Sequence, residues 1–205
     1  MNFFQVAFAL CLGISLSAAC GFRVFVPLLA TSLGVRFGGM EVNETLAWVG
    51  SDMALVCLSV ATVVEILAYY IPWVDNALDS INVPLAAIAG SMVTAGVLPE
   101  MSEMAQWVIG IVAGGGAATA VQLGTTAVRA ASTATTGGMG NSVVSTTEAG
   151  AATIGSVLAL VSPIIAIAGL ILIFGLGIYF FYRWRKSRKE KMMQQQVKPM
   201  YYTPI

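Results

Sequence analysis

The sequence predicts an all-helical protein that crosses a membrane several times. Of its 205 residues, 58% are hydrophobic and only 10% are charged, whereas a soluble domain carries about 25% charged residues. Long stretches hold no charge at all, among them 1–22, 104–128 and 149–182. Because about 20 apolar residues span the hydrocarbon core of a bilayer, we predict about six transmembrane helices, some of them broken or re-entrant.

The first half of the chain holds three of the predicted spans. The first begins near Asn2 and is interrupted at 21–27 by a glycine, an arginine and a proline. It is therefore either one kinked span or a span followed by a re-entrant half-helix. The second covers 48–70 and has aromatic residues at both ends, as at membrane interfaces. We expect Pro84 to start the third span, which ends near Pro99.

The second half of the chain holds the other three spans. The fourth begins at Trp107, the fifth covers 142–162, and the sixth ends near Tyr182. Three spans in 1–99 and three in 100–182 would have opposite orientations. That arithmetic fits a 3+3 inverted repeat, an arrangement found in many transporters.

The predicted fourth span carries Gly110 and Gly114 one turn apart. Small residues at this spacing let another helix approach closely. That second helix belongs either to another copy of the chain or to the same chain. A homodimer is therefore one of two interpretations of this face.

The C-terminal end differs from the rest of the chain in its charge. Six of the ten basic residues lie within 183–191, directly after the last apolar stretch. Such a cluster marks the cytoplasmic side and attracts anionic lipid headgroups. We predict one transmembrane domain, 1–182, and a basic, mostly disordered cytoplasmic tail, 183–205. With six spans both termini are cytoplasmic and the acidic segment 100–103 lies outside.

Four ionisable residues lie deepest inside apolar sequence, namely Arg23, Glu65, Arg129 and Glu148. A charge at the bilayer centre costs at least about 2.5–3.5 kcal/mol. We therefore expect these side chains to face the bundle interior and to neutralise one another. Either they are structural ion pairs, or they form a polar site for a substrate or ion, and both can hold together.

A polar segment, Ser132–Asn141, lies between Arg129 and Glu148. We interpret it as a broken helix at a functional centre, because non-helical backbone at membrane depth needs protein or a wet cavity around it. Its glycines expose backbone groups, and Asn141 or Ser142 would cap the next helix. The alternative is a capped kink packed by small residues. The predicted ligand-binding residues of this segment are Ser132, Thr133, Thr135, Thr136, Gly137, Gly138 and Asn141.

Asp75 and Asp79 lie on one face if 74–80 is helical. Paired carboxylates hold hard cations such as Mg²⁺ or Ca²⁺, which makes a metal site one interpretation. Solvated acids on a loop, or partners of arginines in the bundle, are the others. The sequence has no His and no Ser/His or Asp/Asp catalytic pattern. We predict no enzyme, no cofactor and no nucleic-acid partner.

Three motifs can be read together. They are Gly21-Phe22-Arg23-x-Phe25-x-Pro27, Glu65-(x)6-Pro72-x-x-Asp75-x-x-x-Asp79, and Ser132-Thr-Ala-Thr-Thr-Gly-Gly-Met-Gly-Asn141 followed by Glu148. Over about 7–182 the chain resembles a family of small bacterial integral membrane proteins catalogued as a domain of unknown function. Ser142 and Ala149 depart from the proline and the acidic residue common in that family, so helix capping is expected to differ. The resemblance implies a bacterial inner membrane and no particular activity.

The leading functional hypothesis is a small transporter or channel-like protein. Its polar site for a small ion or solute is formed by Arg23, Glu65, Arg129, Glu148 and the segment 132–141. Because the local charge is mixed, a small anion moving with a proton fits better than a bare cation. The alternative is a non-transporting structural or lipid-associated protein whose buried charges lock the bundle. A wet cavity reaching Thr135 favours transport, and dry, fully paired charges favour the structural role.

Overall fold

The computed structural model describes residues 2–71, 74–99 and 101–197, and in this part of the chain the regular elements are helices. The α-helices are α1 Phe3–Cys20, α2 Phe25–Phe37, α3 Asp52–Ala68, α4 Val74–Val97, α5 Glu103–Ile109, α6 Gly116–Thr136, α7 Asn141–Val161 and α8 Pro163–Val197. A 3₁₀ turn, Ala47–Gly50, precedes α3, and a π-helical turn, Gly110–Gly115, joins α5 to α6. The described chain up to Ile167 forms one compact unit, and α8 from Ala168 onward belongs to a second.

In the described part of the chain, four helical stretches are long and apolar enough to cross a membrane. They are Phe3–Cys20, Ala77–Val97, Glu103–Thr136 and Asn141–Val161. Two further helices, Phe25–Phe37 and Pro163–Gly177, are apolar but shorter. The chain is therefore an apolar, all-helical protein of the membrane type, as the sequence predicts.

Helices α1 and α4 run antiparallel in the centre of the first unit. The Ser17 hydroxyl donates to the carbonyl oxygen of Gly90 at 2.6 Å and lies 2.8 Å from the Thr94 hydroxyl. Gly13, one turn earlier, packs directly against Thr94 and Val97. Small residues on both helices allow this close approach, and Leu16, fully buried, extends the contact into the apolar core.

The glycines of the predicted fourth span pack against the same chain. A Cβ atom added to Gly110 would lie 2.6 Å from the carbonyl oxygen of Ser91, and one added to Gly90 would lie 2.8 Å from that of Gly114. The π-helical turn widens the helix at this point, and its glycine surface lies on α4. The Gly110/Gly114 face is thus filled within the chain and does not support a homodimer.

Helix α2 returns towards the end of the bundle at which α1 begins. Gln5 of α1, Gly34 of α2 and Glu103 of α5 line one cavity, so these helix ends lie together. The segment 28–35 therefore runs back alongside α1, which does not agree with a single kinked span, and it ends at the other end of the bundle from where it began, which a re-entrant half-helix does not. The structure does not agree with the prediction that the N-terminus and the segment 100–103 lie on opposite faces; Glu100 itself lies outside the described residues.

Two helices extend beyond their predicted bounds. The prediction that Pro84 starts a span is wrong, because α4 begins at Val74 and contains Pro84 in its interior. A buried helix tolerates the lost N–H donor when its neighbours satisfy the backbone. Helix α8 continues to Val197, although the sequence predicts mostly disorder from 183. The residues 183–197 include no Gly or Pro and are mostly good helix formers; 198–205 lie outside the described residues.

Candidate functional site

Ionisable side chains meet at the end of the bundle opposite the cavity. The ends of α1, α3 and α6 and the starts of α2, α4 and α7 contribute to it. Although charged, Arg23 is only 1% exposed, Arg129 2% and Glu148 4%. We call this group the ionic cluster. Its members are Arg23, Glu65, Tyr69, Asp75, Asp79, Asn82, Arg129, Asn141, Ser145 and Glu148.

The carboxylate of Glu148 joins two arginines. Arg129 Nε donates to Glu148 Oε1 at 3.1 Å and Arg129 Nη2 donates to Oε2, which makes the pair bidentate. Arg23 Nη2 lies 3.4 Å from Glu148 Oε2 and 3.2 Å from the Ser145 carbonyl oxygen, to which it donates. Bidentate charged hydrogen bonds are the strong ones. Both arginines thus pair with the same glutamate, as the sequence predicts for Glu148 but not for Glu65.

Tyr69 forms the aromatic centre of the ionic cluster. The guanidinium carbon of Arg23 lies 3.6 Å from its ring centroid and that of Arg129 lies 4.2 Å away, within cation–π range. The Tyr69 hydroxyl donates to Asp79 Oδ1 at 3.3 Å and accepts from Asn82 Nδ2 at 2.5 Å. Asp79 lies in turn 3.7 Å from Arg129 Nε. The ring and its hydroxyl therefore link both arginines to α4.

Sequence reasoning missed Tyr69, Asn82 and Ser145. Tyr69 stands at the end of an apolar span, where an aromatic residue is typical of the membrane interface. A usable signal lay in the helical spacing, since Tyr69 follows Glu65 by one turn and Asn82 follows Asp79 by one turn. Nothing in the sequence marked Ser145, whose hydroxyl donates to the Tyr69 carbonyl oxygen at 3.4 Å.

Glu65 binds backbone amides instead of an arginine. Its Oε1 accepts from the Val24 amide at 2.8 Å and its Oε2 from the Phe25 amide at 3.1 Å. These are orphan N–H groups at the start of α2, where the helix dipole also favours a negative charge. Glu65 thus fixes the start of α2 and, with it, the connection that carries Arg23.

Asn141 links the ionic cluster to the end of α6. Its amide Nδ2 donates to Asp75 Oδ2 at 2.9 Å and to Thr133 Oγ1 at 3.0 Å. The prediction that Asn141 or Ser142 caps α7 is wrong, because α7 begins at Asn141 and no side chain caps it. The Asn141 side-chain amide instead donates to the buried carboxylate of Asp75.

The predicted metal pair, Asp75 and Asp79, lies on one face of α4, since the helix covers both. The Asp75 carboxylate accepts from Asn141, and the Asp79 carboxylate accepts from Tyr69 and lies near Arg129. Among the described residues no group of three or more acidic or thiol side chains is arranged to hold a metal ion. Both carboxylates serve protein partners, and a metal site stays a prediction.

The polar segment 132–141 is less broken than the sequence predicts. Helix α6 continues through Thr136, and only 137–140 depart from helix. Gly137 and Gly138 have φ values of 65° and 93°, which side-chain-bearing residues rarely adopt. Ser132 is half-buried, and Thr133, Thr135 and Thr136 are exposed. The Thr135 and Thr136 hydroxyls donate to the carbonyls of Ala131 and Ser132, each at 2.8 Å.

The charges of the ionic cluster do not balance. Three carboxylates, those of Glu65, Asp79 and Glu148, meet two guanidiniums among the described residues. At the same time Arg23 Nε and Nη1 and Arg129 Nη1 are buried and make no hydrogen bond with the described chain. The cluster thus combines surplus negative charge with unused N–H donors. In chemical terms, a carboxylate of the cluster can bind a proton, and the arginines can donate hydrogen bonds to a small acceptor.

A bundle of long apolar helices with a buried ionic cluster at one end defines an integral membrane type of protein. Comparison with protein families gives the particular group. The chain belongs to the family described as a domain of unknown function, DUF4126, whose model matches residues 10–183. No curated protein and no solved structure matches the chain. The predicted family resemblance is confirmed, and the match assigns no activity.

Proposed function

We propose that the protein is a small membrane transporter that moves a small anion together with a proton through the ionic cluster. The observation that carries the proposal is the composition of this cluster. A purely structural lock needs charges that balance, whereas in the described part of the chain the three buried carboxylates of Glu65, Asp79 and Glu148 face two arginines. Surplus charge in a low-dielectric interior is costly, and Asp79 is the proposed site of proton uptake.

The anion part of the proposal rests on the arginines. Arg23 and Arg129 keep three buried nitrogen atoms without an acceptor among the described residues, and an unmade hydrogen bond costs about 1–3 kcal/mol. A small anion accepts several such bonds at once and offsets the positive charge of the guanidiniums. Asp79 lies near Arg129 and accepts a hydrogen bond from Tyr69. Proton uptake on Asp79 would weaken its ion pair with Arg129, and the Arg129 guanidinium could then bind the anion.

The membrane arrangement proposed with this function has seven crossing segments that alternate in direction: α1, α2, α3, α4, the α5–α6 stretch, α7 and α8. Helix α2, which runs from Glu65 back to the cavity, is the shortest of them. The location proposed is the bacterial inner membrane, with the basic cluster 183–191 cytoplasmic and in contact with anionic lipid. With an odd number of crossings the N-terminus lies outside, at the end of the bundle that α1 shares with Glu103.

That shared end gives a direct test of the topology. In a variant without Cys11, Cys20 and Cys57, single cysteines at positions 5 and 103 should react with an impermeant maleimide from the same side of the membrane. Labelling from opposite sides would contradict the placement of α1 and α2.

The homodimer remains a further proposal. The inverted repeat is not proposed, because the starts of α1 and α5 line the same cavity and α1 and the α5–α6 stretch therefore run in the same direction. In favour of a second copy, Gly116 and Gly124 of α6 have open space where a Cβ would lie. Native mass spectrometry from mild detergent, with and without added lipid, tests the dimer.

Transport is tested by flux into proteoliposomes. Vesicles carrying the native chain should take up a small anion, from a panel of halides, nitrate, phosphate and acetate, when an inward proton gradient is imposed. Asp79→Asn should abolish the dependence on the gradient. The matched control is Asp52→Asn, an exposed acid paired with Arg36 outside the ionic cluster, which should leave uptake unchanged. Absence of flux for every ion, or an unaltered Asp79→Asn variant, would overturn the proposal.

The structural alternative is favoured by one observation. The bidentate Arg129–Glu148 pair is nearly sealed from solvent, with side chains 3% and 5% exposed. Under this alternative the ionic cluster holds α6 and α7 together and moves nothing. Full stability of the native chain with no flux and no ligand-induced thermal shift would select it.

A further inference from the structure

We infer that the cavity at the end opposite the ionic cluster is a seat for one membrane lipid whose headgroup carries a protonated primary amine. The cavity measures about 1260 Å³. Typical small-molecule pockets measure about 300–1,000 Å³, so this one has room for acyl chain and headgroup. The inference concerns a different site from the proposed transport site and does not depend on it.

The walls of the cavity suit an acyl chain. Leu12 of α1, Val97 of α4 and Leu160 of α7 line it. Phe8 and Val161, also lining residues, are 50% and 78% exposed. Because both stand on helices apolar enough to cross a membrane, the cavity is open to the surrounding hydrocarbon as well as to the headgroup layer. A lipid can therefore enter from the bilayer itself.

The mouth of the cavity selects the headgroup. Its ionisable lining residues are Glu41, Glu44 and Glu103, all exposed, and no lysine or arginine lines it within the described chain. Carboxylates attract an ammonium group and repel an anionic headgroup. An ammonium also donates three hydrogen bonds, for which the rim offers carboxylate and amide acceptors. The zwitterionic amine lipid phosphatidylethanolamine fits this rim, and phosphatidylglycerol does not.

The rim is held in place before any lipid arrives. The Asn43 amide donates to the Gly96 carbonyl at 2.8 Å, and Asn43 Nδ2 donates to the Ala95 carbonyl at 2.8 Å. Leu46, fully buried, packs against Gly96, where a Cβ would collide with it. The loop that carries Glu41 and Glu44 is thus fastened to the end of α4, which lowers the ordering cost of binding.

The test is lipid competition measured by native mass spectrometry on the full chain. Protein equilibrated with equal amounts of dioleoyl phosphatidylethanolamine and phosphatidylglycerol should retain the amine lipid in excess. The triple variant Glu41→Gln, Glu44→Gln, Glu103→Gln should lose that preference by roughly five-fold, since three exposed carboxylates act together at short range. Asp52→Asn, an exposed acid that does not line the cavity, should leave it unchanged.

A second variant separates the cavity from general lipid adhesion. Leu12→Trp fills the apolar floor of the cavity and should reduce the amount of amine lipid retained. The triple variant should change only the ratio of amine lipid to phosphatidylglycerol. Where Leu12→Trp fails to fold, the triple variant decides alone, because its three side chains are exposed. An unchanged lipid ratio in the triple variant would overturn the inference. Equal retention of both lipids by the native chain would overturn it too.

Discussion

The ionic cluster and the threonine-rich end of α6 are neighbours in sequence and very different in structure. Arg129 is 2% exposed and bound to Glu148, Asp79 and the Tyr69 ring. Less than two turns later, Thr135 is exposed and bonded only to its own helix. The sequence predicts one site from both. The structure divides them into a buried charged group and a surface turn.

The difference teaches which polar residues organise a membrane bundle. Arg129, Glu148 and Glu65 each find their partner outside their own helix, and a buried charge without a partner would carry a large desolvation cost. A threonine hydroxyl bonds the carbonyl one turn back and needs no neighbour. Charges therefore draw helices together, whereas hydroxyls stay where the local helix leaves them.

The largest effect is expected from Arg129→Ala. It leaves Glu148 and Asp79 with less positive charge in a buried place, and breaking such a pair costs about 3–5 kcal/mol. Thermal unfolding in mild detergent should show a large fall in Tm. The matched control is Arg36→Ala, which removes a surface arginine paired with exposed Asp52 and should cost no more than about 1 kcal/mol.

The same pair allows a stricter test of contact. The double variant Arg129→Ala, Glu148→Ala should lose less stability than the sum of the two single variants, because the Arg129–Glu148 contact is counted in both of them. If Arg129→Ala is no worse than Arg36→Ala, or if the losses simply add, the ionic cluster does not organise the fold.

Next in size is Glu65→Gln. The glutamine oxygen accepts from only one of the two amides of Val24 and Phe25, and the negative charge at the start of α2 is lost. We expect a loss of about 1–3 kcal/mol and faster hydrogen exchange at the start of α2. Exchange that rises in α3 but not in α2 would show that Glu65 does not hold the returning helix.

These two predictions show how far sequence alone reaches. Hydropathy identifies the long apolar helices, and the cost of buried charge identifies Arg23, Glu65, Arg129 and Glu148 as interior residues. Neither argument identifies the partner of each charged side chain. Glu65 binds backbone amides at the start of α2. Those amides lie beside Glu65 only because α2 folds back, and tertiary packing determines that fold. Tyr69 was not predicted as a site residue, because an aromatic residue at the end of a span has the same sequence signal whether it faces lipid or two arginines.

The helix bounds failed for related reasons. Pro84 is a local signal for a helix start, but packing of α4 overrides it. The glycines of the π-helical turn are a correct signal for close contact. Their spacing does not predict which helix they contact, and in the folded chain that helix is α4.

Asn141→Ala tests the link between the two regions. It removes the amide that bonds both Asp75 and Thr133, and a buried carboxylate that loses a donor costs about 1–3 kcal/mol. Ser142→Ala, at the exposed neighbouring position, should change stability by less than about 0.5 kcal/mol. Equal effects of the two would mean that the turn and the ionic cluster are independent.

The smallest effect is expected from Thr135→Val. The hydroxyl bonds the Ala131 carbonyl at 2.8 Å and the Ser132 carbonyl at 3.2 Å, both in its own helix, and the side chain is exposed. Valine keeps the shape, so Tm and any anion flux should match the native chain, with a stability change within about 0.5 kcal/mol. Thr133→Val is the informative neighbour, since it removes a bond to Asn141 and should weaken the fold slightly more. A Thr135→Val variant that folds normally but loses flux would place both regions in one site, because an exposed hydroxyl with no partner outside its own helix would then have to touch the ion.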